Sequence, residues 1–462
     1  MTKRLKEGFL WGNSVSSMQT EGAVNEGGKG PSVYDIREAG EHTSDWSVAT
    51  DSYHRYEEDF DLMKEMGMNA YRFQISWSRI IPDGDGEVND EGLAFYDRFI
   101  DAMLERGIEP MICLYHFDMP LALAERYDGF LSRNVMEAFV RYGKLVIDRY
   151  KHKVKYWLSF NEHDLFANPG ISFRVGGVLN TEFSEKGMYQ IQHHAMVAHA
   201  KIANYLHETT DCEIGGMIAY SPYYPASSHP KDTLAADLLD DFTNHAFLYT
   251  FTHGEYPAYF TTYLEDRGWT PEMGEEDLEE IKKMKIDWLA FSYYSSNVIN
   301  GRDIPEDAPI TSYPKYGGEE NPHLDRTEWN WQIDPIAFRL MMRDMYARYR
   351  LPLFPIENGI GVIEELPEDE YIQDDYRIAY HRDHLQAMKD AILIDGVECL
   401  GYLGWGLIDI LSSQGDMRKR YGMVYVNREN HDLKDLRRIP KKSFYWMKQV
   451  TATNGEDLSD IE

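Results

Sequence analysis

The segment Leu351-Pro352-Leu353-Phe354-Pro355-Ile356-Glu357-Asn358-Gly359 is the part of the chain that decides its fold class. Its apolar run is too short for a helix and is bounded by proline and glycine, which is typical of one buried strand of a parallel sheet. The run ends on a carboxylate followed by Asn358-Gly359, a turn signal. An acid at the carboxyl end of a buried strand is where an α/β barrel carries its chemistry. A helix-capping or ion-paired glutamate is the alternative, which a second carboxylate elsewhere in the chain would disfavour.

Seven further apolar runs resemble this one and alternate with amphipathic helical patterns. The eight predicted strands are 8–15, 70–75, 109–114, 157–160, 213–218, 287–292, 353–356 and 399–403. Eight such units without a domain-sized change in composition predict an α/β fold, a single (β/α)8 TIM barrel with long βα loops, over residues 1–450. A doubly wound open sheet would need a glycine-rich phosphate loop after its first strand, and residues 12–16 do not form one.

The composition excludes several classes of protein. With 47 basic and 78 acidic residues the net charge is −31, which argues against nucleic acid or an anionic membrane as partner. The three cysteines, Cys113, Cys212 and Cys399, are far apart and odd in number, so we expect buried thiols in a reducing compartment. No apolar signal region follows Met1-Thr2-Lys3-Arg4, and no run of about 18 apolar residues occurs. These features predict a cytoplasmic protein.

Two segments stand apart from the barrel pattern. Residues 300–330 are polar and rich in proline and glycine, and a loop of this length is usually a functional lid or mobile. Residues 451–462 are acidic and rich in small side chains, so we expect a frayed C-terminal tail.

Polar and aromatic side chains follow nearly every predicted strand. In chain order they are Gln19 and Glu21, Arg72, Tyr115 and His116, Asn161 and Glu162, Tyr293 and Tyr294, Glu357, and Trp405. Any one of them could be an ordinary hydrogen-bonding residue. By chance alone, however, such residues would rarely follow nearly every strand. Two glutamates across a barrel mouth match the chemistry of glycoside hydrolysis, which uses one acid and one nucleophile or base.

Several motifs, taken together and in this order, resemble glycoside hydrolase family 1. They are Phe9-Leu10-Trp11-Gly12, Gln19-Thr20-Glu21-Gly22, Tyr71-Arg72-Phe73, Ser76-Trp77-Ser78-Arg79, Tyr115-His116-Phe117-Asp118-Met119-Pro120, Phe160-Asn161-Glu162 and Ile356-Glu357-Asn358-Gly359. The resemblance extends from about residue 8 to about residue 447 and implies a retaining β-glycosidase that needs no metal and no cofactor.

The resemblance also implies roles for individual residues. Glu162 would be the acid/base and Glu357 the nucleophile, held by Arg72 and Tyr294. Sugar hydroxyls would be bound by Gln19, His116 and Asn161, the ring would lie on Trp405, and Trp331 would stack against the aglycone. Because Arg72 and a tyrosine hydroxyl favour a charged Glu357, we expect a lowered pKa there and a raised pKa for Glu162.

The loop after the eighth strand predicts the substrate class. Members of the family that act on plain glucosides usually carry Glu and Trp where this chain has Ser412 and Ser413, and three basic residues, Arg418-Lys419-Arg420, follow. The pattern resembles the 6-phospho-β-glucosidase branch, in which Ser412, Lys419 and Tyr421 would bind the 6-phosphate. A hydroxyl and an ammonium complement a phosphate, whereas a glutamate would repel it. The alternative is a solvated basic run that balances acidic neighbours.

Other departures from the family pattern are Ser292 for the usual Asn, His163 after the acid/base, and Asn330 for the usual Gly before Trp331. A histidine-rich helix with His193, His194 and His199 could suggest a metal, but no carboxylate or cysteine completes a ligand spacing, so we expect structural histidines.

The predicted function is a 6-phospho-β-glucosidase acting on compounds such as cellobiose 6′-phosphate or aryl β-glucoside 6-phosphates. The resemblance implies that a phosphotransferase system phosphorylates them during import. The alternatives are a 6-phospho-β-galactosidase or dual enzyme, a β-glucosidase for unphosphorylated sugars, a transglycosylase and a non-catalytic sugar-binding barrel. The expected partner is a small phosphorylated β-glycoside, with no nucleic acid and no membrane. Aglycone preference and oligomeric state, including a homo-oligomer, stay open.

Overall fold

The computed structural model describes residues 4–461 and contains eight parallel strands, labelled β1 to β8, that form one sheet. They are β1 Leu10–Ser14, β2 Ala70–Gln74, β3 Glu109–Tyr115, β4 Tyr156–Phe160, β5 Glu213–Ala219, β6 Trp288–Ser292, β7 Leu353–Glu357 and β8 Gly401–Trp405. Each predicted strand overlaps one of these. The prediction of a (β/α)8 barrel is confirmed.

The sheet closes on itself. Each strand from β2 to β6 lies between its neighbours in chain order, and β8 pairs with β1 in the register Leu10 to Gly401. A parallel bridge between Leu353 and Cys399 joins β7 to the start of β8 and completes the ring. Closure brings all eight carboxyl ends to one rim of the barrel, which is where the polar strand-end residues meet.

Helices surround the barrel. The outer helices, one after each strand, are α1 Ser52–Glu65, α2 Asp90–Glu105, α3 Arg133–Tyr150, α4 Glu185–Thr209, α5 Ala246–His253, α6 Pro335–Tyr349, α7 Asp375–Leu393 and α8 Lys442–Ala452. Further helices in the loops are Ser17–Thr20, Trp77–Ile80, Leu121–Tyr127, Gly129–Leu131, His163–Ala167, Ser172–Val175, Pro230–Asp240, Asp241–His245, Ala258–Arg267, Asp277–Lys283, Ile310–Ser312 and Tyr313–Gly317. Among residues 4–461, none of these helices has the length and apolar content that crossing a membrane requires.

Side chains from the strands fill the inside of the barrel. They include Met111, Leu158, Met217, Trp288 and Phe354, all buried, so the barrel is a packed core and not a pore. A second and larger core lies between the sheet and the outer helices. The three cysteines are buried and free, as the sequence predicted.

The polar segment 300–330 has more structure than its composition suggests. It contains two short helices and the strand Gly318–Glu319, which pairs with Asn297–Ile299; that strand in turn pairs with Tyr223–Pro225. The remaining short strands form two antiparallel pairs: Val362–Ile363 in the loop after β7 with Lys419–Arg420 in the loop after β8, and Val424–Val426 with Arg438–Pro440. Long βα loops therefore build the rim of the barrel.

The C-terminal tail is packed, so the expectation of a frayed end is wrong for residues 451–461; Glu462 lies outside the described residues. Helix α8 runs past the expected boundary at residue 450 and ends at Ala452. The Trp446 indole donates to the carbonyl of Ser459 (3.1 Å), and Leu458 is buried in the outer core. Apolar contact with the barrel outweighs the polar composition of this segment.

Replacing Leu458 by alanine should therefore lower the free energy of unfolding by about 2 kcal/mol, the low end of the range for buried leucines. Urea unfolding followed by circular dichroism measures this change. The matched control is Glu456→Gln, which removes only the exposed pair with Arg4 and should leave stability nearly unchanged. Equal stability of the two variants would mean that the tail contributes nothing.

Candidate active site

Glu357 is the last residue of β7, and both of its carboxylate oxygens have hydrogen-bond donors. Arg72 of β2 donates from Nη1 to Oε1 at 2.7 Å, and the hydroxyl of Tyr294, just after β6, donates to Oε2 at 3.0 Å. Arg72 is fully buried and Glu357 is nearly so. A carboxylate with a guanidinium and a hydroxyl fixed on it is held rigidly in one orientation.

Glu162 follows β4 across the barrel mouth. Its backbone is left-handed (φ 42°), an uncommon conformation for a non-glycine residue and one that recurs at functional sites. Ser292, the last residue of β6, donates a hydrogen bond to Glu162 Oε1. Arg72 also donates from Nη2 to Asn161 Oδ1 at 2.5 Å. One guanidinium therefore ties the nucleophile candidate to the turn that carries the acid/base candidate.

The two carboxyls influence each other electrostatically. Burial and the charge of Glu162 raise the pKa of Glu357 to about 8, against the opposing effects of Arg72 and Tyr294. Burial also raises the pKa of Glu162, against the hydrogen bond from Ser292, the charge of Arg72 and the hydrogen bond from Asn161. The predicted lowering of the Glu357 pKa is therefore wrong, because desolvation exceeds the effect of the two donors, while the predicted rise for Glu162 agrees.

Two raised carboxyl pKa values mean that the pair retains one proton near neutral pH and titrates as a unit. The donors decide where the remaining negative charge lies. Glu357 receives a charged guanidinium and a hydroxyl, whereas Glu162 receives only neutral donors, the Ser292 hydroxyl and the Asn161 side chain. The anion is therefore favoured on Glu357 and the proton on Glu162.

The candidate sugar-binding groups lie on the same rim. The His116 ring stacks on Trp405 with centroids 5.7 Å apart, and burial lowers the pKa of His116 well below its usual value, so the ring is neutral. His116 Nδ1 has no hydrogen-bond partner among residues 4–461. Gln19 accepts from Ser16 Oγ at 2.6 Å and donates to the Leu411 carbonyl at 2.7 Å. Its amide keeps one N–H and one lone pair for a ligand.

Lys419 lies in a cage of aromatic rings beside this site. Its ammonium is 3.7 Å from the ring centre of Trp331, 5.0 Å from that of Trp329 and 5.5 Å from that of Tyr421. The Trp331 and Tyr421 rings both contact Tyr294, whose hydroxyl binds Glu357. Gly361 leaves room for this arrangement, since a Cβ there would lie 2.7 Å from Lys419 Cγ.

The three basic residues of the loop differ in their partners. Arg418 pairs with Asp416 (2.7 Å) and Arg420 with Asp409 (2.9 Å). Lys419 is buried and has no carboxylate within ion-pair distance among the described residues, and burial lowers its pKa to about 8. The run predicted from the sequence as a cationic cluster is therefore one uncompensated ammonium between two neutralised guanidiniums.

Ser412 is positioned by the turn that follows it. Its Oγ accepts a hydrogen bond from the backbone N–H of Asp416 at 3.0 Å, and its carbonyl accepts from Gly415 at 2.8 Å. The Ser412 hydroxyl therefore keeps its own proton for donation.

Buried ion pairs support the loop from below. Arg377 of α7 donates to the carbonyls of Ile360 (2.7 Å) and Tyr421 (2.9 Å) and pairs with Glu364. Lys441 joins Glu364 to Asp409, whose other oxygen receives Arg420. Three cations and three anions, counting the Arg377–Asp374 pair, balance one another here. This network fixes the backbone on both sides of Lys419 and Tyr421.

The departures noted in the sequence have structural explanations. Asn330 is left-handed (φ 60°), a conformation that glycine adopts freely and asparagine tolerates. His163 is buried, and burial lowers its pKa well below the usual value, so it carries no charge that would act on Glu162. The helix histidines point to separate partners: His193 to Asp277 and Tyr256, His194 to the Phe130 carbonyl, and His199 to Ser159.

Another cluster, on the outer side of the barrel, has ligand atoms close enough for a cation: Asp240, His245 and Asp344. Although burial alone would lower it, hydrogen bonds to the two carboxylates raise the pKa of His245 to about 9. Arg348 lies 2.8 Å from Asp344. Two cations and two anions balance here, so the ion pairs themselves account for the cluster.

Sequence reasoning missed three features of the site. The contact of Ser292 with Glu162, the placement of Trp329 against Lys419, and the counterions Asp409 and Asp416 were not predicted. The last could have been found, because both acids are in the same loop as the bases they neutralise.

The chain is similar to known glycosidases both in sequence and in structure. The profile of glycosyl hydrolase family 1 matches residues 1–456. The aryl-phospho-β-D-glucosidase BglH of Bacillus subtilis is 44% identical over 99% of each sequence, and the 6-phospho-β-glucosidase AscB of Escherichia coli is 38% identical over 98% of this chain and 99% of its own. Among solved structures, a family 1 β-glucosidase of Thermotoga maritima superposes with a TM-score of 0.88 at 31% identity, covering 98% of this chain and 99% of that one.

Proposed function

Because this chain belongs to glycosyl hydrolase family 1, whose members hydrolyse O-glycosyl bonds, we propose that it is a retaining 6-phospho-β-glucosidase acting on substrates such as cellobiose 6′-phosphate and aryl β-glucoside 6-phosphates. Glu357 is the nucleophile and Glu162 the acid/base. The observation that carries the phosphate specificity is Lys419, a buried ammonium that lacks a carboxylate partner among residues 4–461 and lies beside Tyr421 and Trp331.

In the first step the Glu357 carboxylate attacks the anomeric carbon. The bond from that carbon to the glycosidic oxygen breaks, and the leaving oxygen takes the proton of Glu162. Arg72 and Tyr294 hold Glu357 in the attacking orientation. The products are a glycosyl ester of Glu357 and the released aglycone.

In the second step the roles of Glu162 reverse. The ester has no negative charge, so the repulsion that favoured a protonated Glu162 is gone and its pKa falls. Glu162 then takes a proton from water, whose oxygen attacks the anomeric carbon and breaks its bond to Glu357. Sugar 6-phosphate leaves with retained configuration, and proton cycling of this kind contributes about 10²–10⁴-fold to the rate.

The phosphate would be held by the Lys419 ammonium and the Ser412 and Tyr421 hydroxyls. A lysine already neutralised by a carboxylate would offer a phosphate little gain, whereas aromatic rings stabilise the ammonium and leave its charge uncompensated. Ser412 removes the repulsion that a glutamate would exert there. The small Ser413 favours the gluco over the galacto series through the resemblance given above.

Comparing kcat/KM for nitrophenyl β-glucoside and its 6-phosphate tests the proposal. The phosphorylated substrate should be strongly preferred. Equal or better turnover of the plain sugar would identify a β-glucosidase instead. A preference for the galacto 6-phosphate would identify a 6-phospho-β-galactosidase, sugar binding without turnover a non-catalytic barrel, and transfer products a transglycosylase.

The preference for the phosphorylated substrate should change with pH as Lys419 loses its proton. We expect the ratio of kcat/KM for the phosphorylated substrate to that for the plain one to be level near pH 7 and to fall above pH 8, because the pKa of Lys419 is about 8 and only its protonated form attracts the dianion. Both substrates need the same protonation state of the two glutamates, so that dependence cancels in the ratio. A ratio that stays constant up to pH 9.5 would exclude Lys419 as the phosphate ligand.

The free, buried cysteines support a reducing compartment, and phosphorylated sugars are charged compounds found inside cells, so we also propose that the protein acts in the cytoplasm.

A further inference from the structure

Ser292 has one hydrogen-bond partner through its side chain in the described part of the protein, and that partner is Glu162 Oε1. Ser292 ends β6, where its backbone is in register with Ala219 of β5 on one side and Glu357 of β7 on the other. Ser292 thus stands between the two glutamates, on a strand that carries neither.

Burial fixes the direction of this hydrogen bond. Ser292 is 1% exposed, so its hydroxyl hydrogen has no access to bulk water. No second acceptor for that hydrogen lies within reach among residues 4–461, and a buried donor without an acceptor is costly. The hydroxyl therefore donates to Glu162 Oε1 and does not accept from it.

We infer that Ser292 is a positioning residue that designates the other oxygen of Glu162, Oε2, as the one that carries the proton in both steps of the reaction. This inference rests on the proposed function. While Oε1 accepts from Ser292, one of its lone pairs is occupied and the oxygen is less basic, so the proton is favoured on Oε2. The proton that passes to the glycosidic oxygen leaves from Oε2, and the proton taken from water returns to Oε2.

The same donor acts on the second step. A hydrogen bond to Oε1 stabilises the carboxylate form of Glu162, and it opposes the rise that burial causes in the pKa of Glu162. The acid/base must be protonated first and ionised later, so it needs a pKa that burial alone would set too high. Ser292 supplies this correction without a charge that would disturb Glu357.

Other charged or titratable groups around Glu162 cannot replace this function. Arg72 binds Glu357 and Asn161, Tyr294 binds Glu357, and His163 is neutral. The neutral Asn161 side chain also lowers the pKa of Glu162, but its effect is smaller than that of Ser292. Asp164, in the same turn, receives the backbone N–H of Ala219, and burial together with the charge of Glu162 raises its pKa well above the usual value, which disfavours its charged form.

The test compares two leaving groups in the complete enzyme. For methyl β-glucoside 6-phosphate, whose leaving group needs a proton, Ser292→Ala should lower kcat/KM by about 10- to 100-fold, the effect of losing a hydrogen bond to a charged group. For 2,4-dinitrophenyl β-glucoside 6-phosphate, which needs no proton to leave, kcat/KM should stay within about threefold. With the latter substrate the glycosyl-enzyme accumulates, so its kcat reports the second step, and the acid limb of kcat should move to higher pH.

Matched variants separate positioning from packing. Ser295→Ala removes a hydroxyl three residues away that contacts the Ser296 carbonyl and the Gln332 amide but neither glutamate, and it should behave as wild type. Ser292→Thr keeps the hydroxyl and should retain the wild-type dependence on leaving group and pH. Ser292→Cys keeps the packing with a weak donor and should resemble Ser292→Ala, which covers the case in which alanine destabilises the fold.

The inference would be overturned if Ser292→Ala lowered kcat/KM equally for both leaving groups. It would also be overturned if the acid limb of the kcat profile stayed at its wild-type pH. A variant indistinguishable from Ser295→Ala would overturn it as well. Wild-type enzyme inactive on both phosphorylated substrates would instead refute the proposed function, so the two failures are distinguishable.

Discussion

Replacing Glu357 by alanine should lower kcat on phosphorylated aryl glucosides by at least about 10⁴-fold, because no covalent intermediate can form without the nucleophile. Arg72 and Tyr294 would remain in place with no carboxylate between them. Steady-state hydrolysis of nitrophenyl β-glucoside 6-phosphate measures the loss. Turnover near the wild-type level would mean that the double-displacement mechanism is wrong.

Two controls show that the loss is chemical. Glu365→Ala changes an exposed glutamate in the following loop and should leave kcat unchanged. Glu162→Ala should remove activity on poor leaving groups but still release dinitrophenol in the first turnover, since that leaving group needs no acid. A burst from Glu162→Ala and none from Glu357→Ala would separate the two roles, and the reverse result would exchange them.

Replacing Lys419 by methionine should lower kcat/KM for the phosphorylated substrate by roughly 10- to 150-fold, because a charge-assisted hydrogen bond contributes about 1.5–3 kcal/mol. Activity on unphosphorylated nitrophenyl β-glucoside should change little, since the ammonium binds no part of that sugar in the proposed arrangement. Methionine occupies similar space against Trp331, so packing in the aromatic cage is retained.

The matched control is Arg418→Met, one residue earlier in the chain. This change also removes one positive charge from the loop, but Arg418 is half exposed and already paired with Asp416. If the pocket depends on Lys419 alone, Arg418→Met should keep its preference for the phosphorylated substrate. Equal losses in the two variants would show that the effect is general charge attraction and that no specific phosphate ligand exists at position 419.

The positions of the chemical groups could be predicted from local sequence. Each barrel strand is a short apolar run, and in a closed parallel barrel the residues after the strands meet at one rim whatever the loop lengths. That rule is sufficient to bring Glu162, Glu357 and Arg72 together. In the structure Arg72 binds Glu357 and Asn161, the neighbour of Glu162, and the charge of Glu162 acts on Glu357. The residue types in the loop after β8 likewise indicated Ser412, Lys419 and Tyr421 as candidate phosphate ligands.

The pKa values and the burial of individual groups could not be predicted in the same way. The sequence predicted a lowered pKa for Glu357 from its donors, but how deeply a carboxyl is buried depends on what all eight strands place around it. Similarly, Leu458 and Ser459 look like solvated tail residues until the barrel surface beneath them is known.

What the sequence determined by itself was the barrel, the pair of glutamates and the family, because these depend on periodicity and on the residue type at strand ends. The tertiary structure alone decided which basic residue of the loop keeps its charge, which oxygen of Glu162 is occupied by Ser292, and whether the tail is bound. Those outcomes depend on contacts between residues far apart in the chain, and on the solvent that such contacts exclude, neither of which a local pattern records.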